Sequence, residues 1–237
     1  MNIALFGYGK MGKEIEKIAL SRGNKIVLIV DVNNSDTFTI EELQKADAAI
    51  EFSTPETAVK NIYKCFEANV PVVVGTTGWL NRLDEVKKKC MDNNHSLFYA
   101  SNYSIGVNLF LKLNGYLAKL MNQHTEYNIT MEEIHHIHKL DSPSGTAITI
   151  AEQIIQQNDS KKKWVNNSTE NAEELAIISK RIDEVPGTHT VTYASDIDEI
   201  SITHLAHNRK GFALGAVVAA EWVKGKKGVF GMNDLMG

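Results

Sequence analysis

The sequence predicts an α/β protein: a Rossmann-like, doubly wound parallel sheet followed by an α+β domain. Three observations predict it. Short apolar, β-branched segments at 3–6, 26–30, 48–52, 70–74 and 97–99 alternate with amphipathic stretches at 11–21, 55–68 and 80–91. Strands separated by helical segments pair in parallel through right-handed crossovers. Gly7-Tyr-Gly-Lys-Met-Gly12 stands between the first strand and the first helix. Beyond residue 102 the alternation ends, and strand-like segments at 175–182, 188–195 and 199–205 follow one another, as in a mixed or antiparallel sheet.

Within the first domain, the polar stretch 33–45 leaves room only for a reduced second crossover helix. In the second, Val107, Phe110, Leu113, Leu117 and Leu120 recur at helical spacing over 107–121, and 127–134 alternates as a strand. Residues 143–157 read as a helix with Ser142 as N-cap and Pro143 at the first helical position. Residues 160–173 are polar and predict a loop. A last helix at 212–223 returns to the first domain, so the expected boundaries are 1–104 completed by 211–237, and 105–210. Trp79, Trp164 and Trp222 are expected to pack.

The 237 residues, 43% of them hydrophobic, suit two small domains. A formal charge of −4 argues against nucleic acid or an anionic membrane as the main partner. No apolar run approaches the roughly 20 residues a spanning helix needs, and residues 1–6 are too short for a secretory core. Cys65 and Cys90, without CxxC spacing, predict free thiols in a reduced, cytoplasmic setting.

The glycine-rich turn is a dinucleotide signal in its proper strand–turn–helix context. Its glycines allow a tight turn and close approach to a pyrophosphate, and the helix start offers free N–H groups. Gly7, Tyr8, Gly9, Lys10, Met11 and Gly12 are therefore candidate cofactor residues, with Asp31, at the end of the second strand, on the adenosine ribose. Asp31 would repel a 2′-phosphate, and Val32 and Asn33 supply no guanidinium to hold one. NADH is favoured on that ground, with NADPH possible through Lys10. Gly75, Thr76 and Thr77 follow the fourth strand, and Ala100, Ser101, Asn102 and Tyr103 follow the fifth, at the carboxyl edge where such sheets bind ligands.

The densest chemistry lies in Glu133-Ile-His-His-Ile-His-Lys-Leu-Asp-Ser-Pro-Ser-Gly-Thr-Ala147. Proton donors there stand beside a helix start able to hold an anion. Ser144, Gly145 and Thr146 offer amides and hydroxyls, and Gly145 has no side chain to block approach. Lys139 adds a flexible ammonium. A metal site is not expected, because His135 and His136 point apart on a strand or turn and no cysteine joins them. His138 reads as solvent-facing or hydrogen-bonded. Glu132, Glu133 and Asp141 read as orienting or solvated groups.

These residues resemble the 4-hydroxy-tetrahydrodipicolinate (dihydrodipicolinate) reductase family over essentially the whole chain. The likeness rests on GYGKMG, Ile50-Glu-Phe-Ser-Thr-Pro55, Gly75-Thr-Thr-Gly78, Ala100-Ser-Asn-Tyr-Ser-Ile-Gly-Val-Asn108, the histidine-rich segment, and Thr203-His-Leu-Ala-His-Asn-Arg209. The resemblance implies a dinucleotide-binding domain and a substrate-binding and oligomerisation domain that close over a cyclic imine dicarboxylate, usually in a homotetramer. It implies His135 as proton donor, Lys139 as second acid and carboxylate partner, His136 as a substrate contact, and Gly145 and Thr146 as holders of a substrate carboxylate, with Ser144 joining them on the chemistry of the turn. Arg209 is a further candidate substrate contact, and His204 would touch substrate or brace the hinge. The glycine loop is one residue shorter than in many members, and Val32 replaces a basic cofactor residue. A neighbouring cation would lower the His135 pKa and a bound dicarboxylate would raise it. Another two-domain NAD(P)-dependent dehydrogenase and a non-catalytic dinucleotide-sensing module are the alternatives.

Overall fold

The structure, a computed structural model, describes residues 1–208 and 210–237. It divides into two compact units, 1–105 with 210–237 and 106–209. The Arg209 candidate lies outside the described residues.

The first unit is built on β1 (Asn2–Phe6), β2 (Lys25–Val30), β3 (Ala48–Glu51), β4 (Val72–Val74), β5 (Ser96–Tyr99) and a short β11 (Gly228–Phe230) that the sequence reading did not contain. They lie in the order β11-β5-β4-β3-β1-β2, all parallel. The strands are apolar on both sides because helices cover both faces. One face packs Ala4, Phe6, Val72 and Val74 against Val59, Ile62 and Phe66 of α3 (Pro55–Glu67) and Val86 and Cys90 of α4 (Leu83–Asp92). The other packs Ile3, Leu5, Ile50 and Val73 against Ile15 and Ala19 of α1 (Lys10–Ser21) and Ala213–Val223 of α7 (Lys210–Val223). The chain leaves β1 for β2 on one side and reaches β3 on the other, so the crevice where strand order reverses opens at their carboxyl ends.

The expected reduced crossover is α2 (Ile40–Leu43), a single turn held by a capping box in which Thr39 and Glu42 bond each other's backbone. Strand β4 starts at Val72, two residues later than the apolar run, because Asn69 turns left-handed at φ 55° and the Val70 amide still closes α3 by donating to the Cys65 carbonyl. Cys65 and Cys90 are free and buried. A short terminal helix, α8 (Met232–Met236), also went unpredicted.

The second unit is a mixed sheet, β10-β9-β6-β8-β7, made of β6 (Asn128–His135), β7 (Lys163–Val165), β8 (Glu174–Arg181), β9 (Gly187–Ala194) and β10 (Glu199–Ala206). Strand β7 sits inside the stretch expected to be a loop. Strand β6 pairs parallel with β8 and antiparallel with β9. One face, carrying Ile129, Met131, Ile177, Val191 and Tyr193, is covered by α5 (Ile105–Met121) and α6 (Gly145–Gln157). On the opposite side β9 and β10 carry the hydroxyl pairs Thr190–Thr203 at 3.1 Å and Thr192–Ser201 at 2.9 Å.

Helix α5 corrects the predicted stripe. Val107 and Phe110 are buried as expected, but the row continues through Asn114, Ala118 and Met121, while Leu113 and Leu120 are exposed. The helix is apolar over most of its circumference, so spacing alone did not select the face. Buried Asn114 instead donates to the Ile150 carbonyl of α6 at 3.2 Å. Among the described residues no helix is long and apolar enough to cross a membrane.

Candidate active site

In the first unit the glycines are required by sterics. Gly7 follows β1 at φ 90°, and a Cβ there would stand 2.1 Å from the Phe52 carbonyl oxygen. A Cβ on Gly12 would stand 2.1 Å from the Gly7 carbonyl oxygen. The helix start is thus drawn against the strand end, with Gly9 as a side-chain-free N-cap and Tyr8 anchored by a hydrogen bond to Glu16. Beside this cradle lies a cleft of about 480 Å³, lined by Gly7, Tyr8, Gly9, Asp31, Val32, Ser35, Phe52, Thr54, Thr57 and Asn61 among others. Among the described residues no lysine or arginine lines it. The Asp31 carboxylate, just beyond β2, accepts from the Asn33 amide at 2.8 Å and its side chain at 3.2 Å.

Gly75, Thr76 and Thr77 leave β4 at the same edge. Thr76 is buried, its hydroxyl accepting from the Ser53 amide at 2.8 Å. Ala100, Ser101, Asn102 and Tyr103 leave β5, but Tyr103 is 1% exposed and its hydroxyl donates to the Val74 carbonyl at 2.7 Å. Its side chain belongs to the core, so of Tyr103 only the backbone remains for a ligand, while Ser101 is exposed. Below them sits Glu51, which sequence reasoning did not single out. Burial raises its pKa, with hydrogen bonds from Ser53, Thr76 and Asn61 opposing the rise.

In the second unit the alternation of β6 puts Ile129, Met131, Glu133 and His135 on the covered face. His136 leaves on the other side, its ring 6.1 Å from that of His138. His138 is exposed and pairs with Glu184 at 3.3 Å. The Lys139 ammonium is held by Asp141 at 2.7 and 2.8 Å. The helix start differs from the expected one: Ser144, not Ser142, caps α6, and Gly145, not Pro143, is its first residue. The Ser144 hydroxyl accepts from the Ala147 amide at 3.1 Å. Its own amide donates to Glu133 at 3.1 and 3.2 Å. Ser144 is therefore turned inward and shapes the turn. The first amides of a helix have no intrahelical partner, which leaves those of Gly145 and Thr146 to meet an anion. Beyond its chain neighbours and its own helix backbone, no atom of the described residues lies within 4 Å of where a Gly145 Cβ would stand.

His135 is 9% exposed, with Nε2 3.5 Å from a Glu133 oxygen. Burial lowers its pKa, Lys139 and Arg181 push the same way, and Glu133 and a hydrogen bond to the Pro186 carbonyl push back. Burial also opposes ionisation of Glu133, but hydrogen bonds from Ser144, Ser179 and Arg181 outweigh it and hold its pKa below the usual value. Glu133, His135 and His189 bring ligand-type atoms within 4.8 Å of one another, but Ser144 and Arg181 already donate to the carboxylate and meet its charge.

Sequence reasoning passed over His189 and Arg181. For His189 a signal existed: the β9 alternation places it in line with Val191 and Tyr193, on the face that is buried. Burial, then the proximity of His135, push its pKa from 6.5 down to about 4. The unfolded chain therefore takes up this proton first, and stability falls as pH drops through that window. Thermal melts should lose about 3 kcal/mol between pH 6.5 and 4 from this group. His189→Asn should flatten the dependence above pH 4.5, and an unchanged slope would refute the assignment.

The chain matches the family described as dihydrodipicolinate reductase, N-terminus, over residues 1–103 and its C-terminus over 106–236. A 4-hydroxy-tetrahydrodipicolinate reductase of Christiangramia forsetii is 50% identical, covering 100% of this chain and 98% of its own. That of Archaeoglobus fulgidus is 33% identical, with 100% of both chains covered. Among solved structures, a dipicolinate-bound dihydrodipicolinate reductase from Paenisporosarcina sp. TG-14 has the same fold, with a TM-score of 0.78 at 23% identity and 99% of each chain covered. With both halves matched and half of the aligned positions shared with a relative that covers the whole chain, the chain belongs to the dihydrodipicolinate reductase family.

Proposed function

We propose that this chain reduces 4-hydroxy-tetrahydrodipicolinate, by way of dihydrodipicolinate, to tetrahydrodipicolinate with NAD(P)H, in the diaminopimelate–lysine pathway. The observation that carries the reading is the gathering of a buried histidine, a lysine and an open helix start within one strand–loop–helix segment of the second unit. A cyclic dicarboxylate needs cations and oriented amides, and the conjugated ring it forms on losing water needs a hydride and a proton. Gly145 and Thr146 would hold one carboxylate, Lys139 would share its ammonium between Asp141 and the other, and His136 would bind substrate. His135 would deliver the proton, a task suited to histidine near neutral pH. Arg209 is retained as a substrate contact on the resemblance alone.

The reduced nicotinamide supplies the hydride when bound; the protein's part is to place it. The glycine cradle fits a pyrophosphate: Gly7 and Gly12 let the strand end and the helix start approach each other, and Gly9, with open space where a Cβ would stand, leaves the helix-start amides uncovered. Lys10 and Met11 open α1, and Asp31 would accept from the adenosine ribose. The loops Gly75–Thr77 and Ala100–Tyr103 would line the nicotinamide end. Asp31 and a cleft without cations support NADH over NADPH. The open hydroxyl-bearing side of the second sheet supports self-association as a homotetramer, and the free buried thiols support a cytoplasmic location.

Turnover with the synthase-generated substrate, an amino acid and a semialdehyde, each with NADH and NADPH, tests the reading. Oxidation is expected only with the first, and faster with NADH. Asp31→Ser should raise KM for NADH by roughly tenfold, as loss of about 1.4 kcal/mol of hydrogen bonding to the ribose requires, and should lower KM for NADPH, because the carboxylate that repels a 2′-phosphate is gone. Equal use of both cofactors by the wild type would remove Asp31 from the cofactor reading.

A further inference from the structure

Sheet register sets Glu133 of β6 opposite His189 of β9 on one side and Ser179 of β8 on the other, and sets His135 opposite Arg181. His189 in turn faces His204 of β10. Glu133 is fully buried at the centre of this row. One oxygen lies 3.5 Å from His135 Nε2 and 3.8 Å from His189 Nε2. The other accepts from Arg181 Nη2 at 3.2 Å. Arg181 also donates to the Asp141 carbonyl at 2.6 Å and the Lys139 carbonyl at 3.4 Å. One carboxylate–guanidinium pair thus touches the strand that carries His135, the loop that carries Lys139 and, through the Ser144 amide, the start of α6. A buried ion pair gains little net stability over apolar groups of similar volume, so its effect lies mainly in what it holds and charges.

We propose that Glu133 and Arg181 are paired positioning residues for the proton donor, fixing His135, the Lys139 loop and the anion-binding turn in one frame and acting on the charge of His135 with opposite signs. The inference rests on the reading of His135 as proton donor. The groups facing His135 are Glu133 from β6, Lys139 from the following loop, Arg181 from β8 and His189 from β9, with His204 of β10 behind His189. Glu133 favours the protonated ring, whereas Lys139, Arg181 and burial disfavour it. A donor must carry its proton, so activity falls as pH rises through its pKa.

The test compares kcat/KM against pH, and the His135 titration by NMR, in Glu133→Gln, Arg181→Gln and Arg181→Lys, with the amide NMR spectrum of each variant as the check on folding. Glu133→Gln should move the alkaline fall to lower pH by about one unit, so activity above it drops roughly tenfold. Arg181→Gln should move it the other way and raise KM, because the Lys139 loop is released. Arg181→Lys keeps the charge and should restore the wild-type limb while KM stays high. Shifts of the same sign in the two Gln variants, or equal loss at every pH with unshifted limbs, would overturn the proposal. Opposite NMR shifts with a stationary rate profile would uphold the positioning and remove His135 as donor.

Discussion

Replacing His135 with glutamine is expected to lower turnover by about 10²- to 10⁴-fold, the usual worth of a positioned general acid. Glutamine keeps a polar group of similar reach but has no proton to release near neutral pH. The side chain is only 9% exposed, so water has poor access to take over the task. The loss should fall on kcat more than on KM, because in the proposed function the substrate's carboxylates would be met by Lys139 and the α6 start and not by this ring. Dinucleotide affinity should stay at its wild-type value, since Gly7–Gly12 and Asp31 belong to the other compact unit. Single-turnover oxidation of NADH, beside a fluorescence titration of the same variant, checks both halves of the expectation. A variant that turns over within threefold of wild type would move the donor elsewhere, with Lys139 the next candidate.

Gly12→Ala should weaken dinucleotide binding by at least a hundredfold, about 2.8 kcal/mol. The added methyl would meet the Gly7 carbonyl oxygen at 2.1 Å and its carbon at 3.1 Å. Both atoms are backbone, so no side-chain rotation relieves the clash. Gly7 cannot retreat, because it lies at φ 90° with the Phe52 carbonyl directly behind it. Helix α1 must therefore back away from β1, which widens the cradle and withdraws the helix-start amides from a pyrophosphate. Overpacking of this kind also costs about 1–3 kcal/mol of stability, so the first unit should melt earlier. Titration with NADH reads the affinity. A Kd within threefold of wild type would mean that this turn does not hold the pyrophosphate.

The parallel sheet was legible because its strands are continuous apolar runs separated by amphipathic helices, a pattern that few other folds produce. The active segment was legible as composition but not as geometry. Ser142 and Ser144 both have the chemistry of an N-cap, and the choice between them is made by Glu133, eleven residues earlier, which captures the Ser144 amide. Periodicity could not see that bond. The same holds for Arg181, which stands on another strand and reaches His135 only through sheet register. His189 was readable in part, as a polar residue in an apolar alternation, but its neighbours Glu133 and His135 were not. In α5 an excess of leucines hid the true inward face, which buried Asn114 marks by its bond to α6. Tyr103 shows the converse: a residue singled out for the cofactor whose ring and hydroxyl are taken up by the core.

The proposed chemistry requires one coupling: an anion held at the start of α6 must favour the charged form of His135. Burial and two cations lower the His135 pKa, and a bound dicarboxylate brings negative charge to offset them. NMR titration of histidine-labelled protein, with and without a planar pyridine dicarboxylate, measures this directly. The His135 pKa is expected to rise by about one unit on binding. A dicarboxylate that binds and leaves His135 unmoved would contradict it.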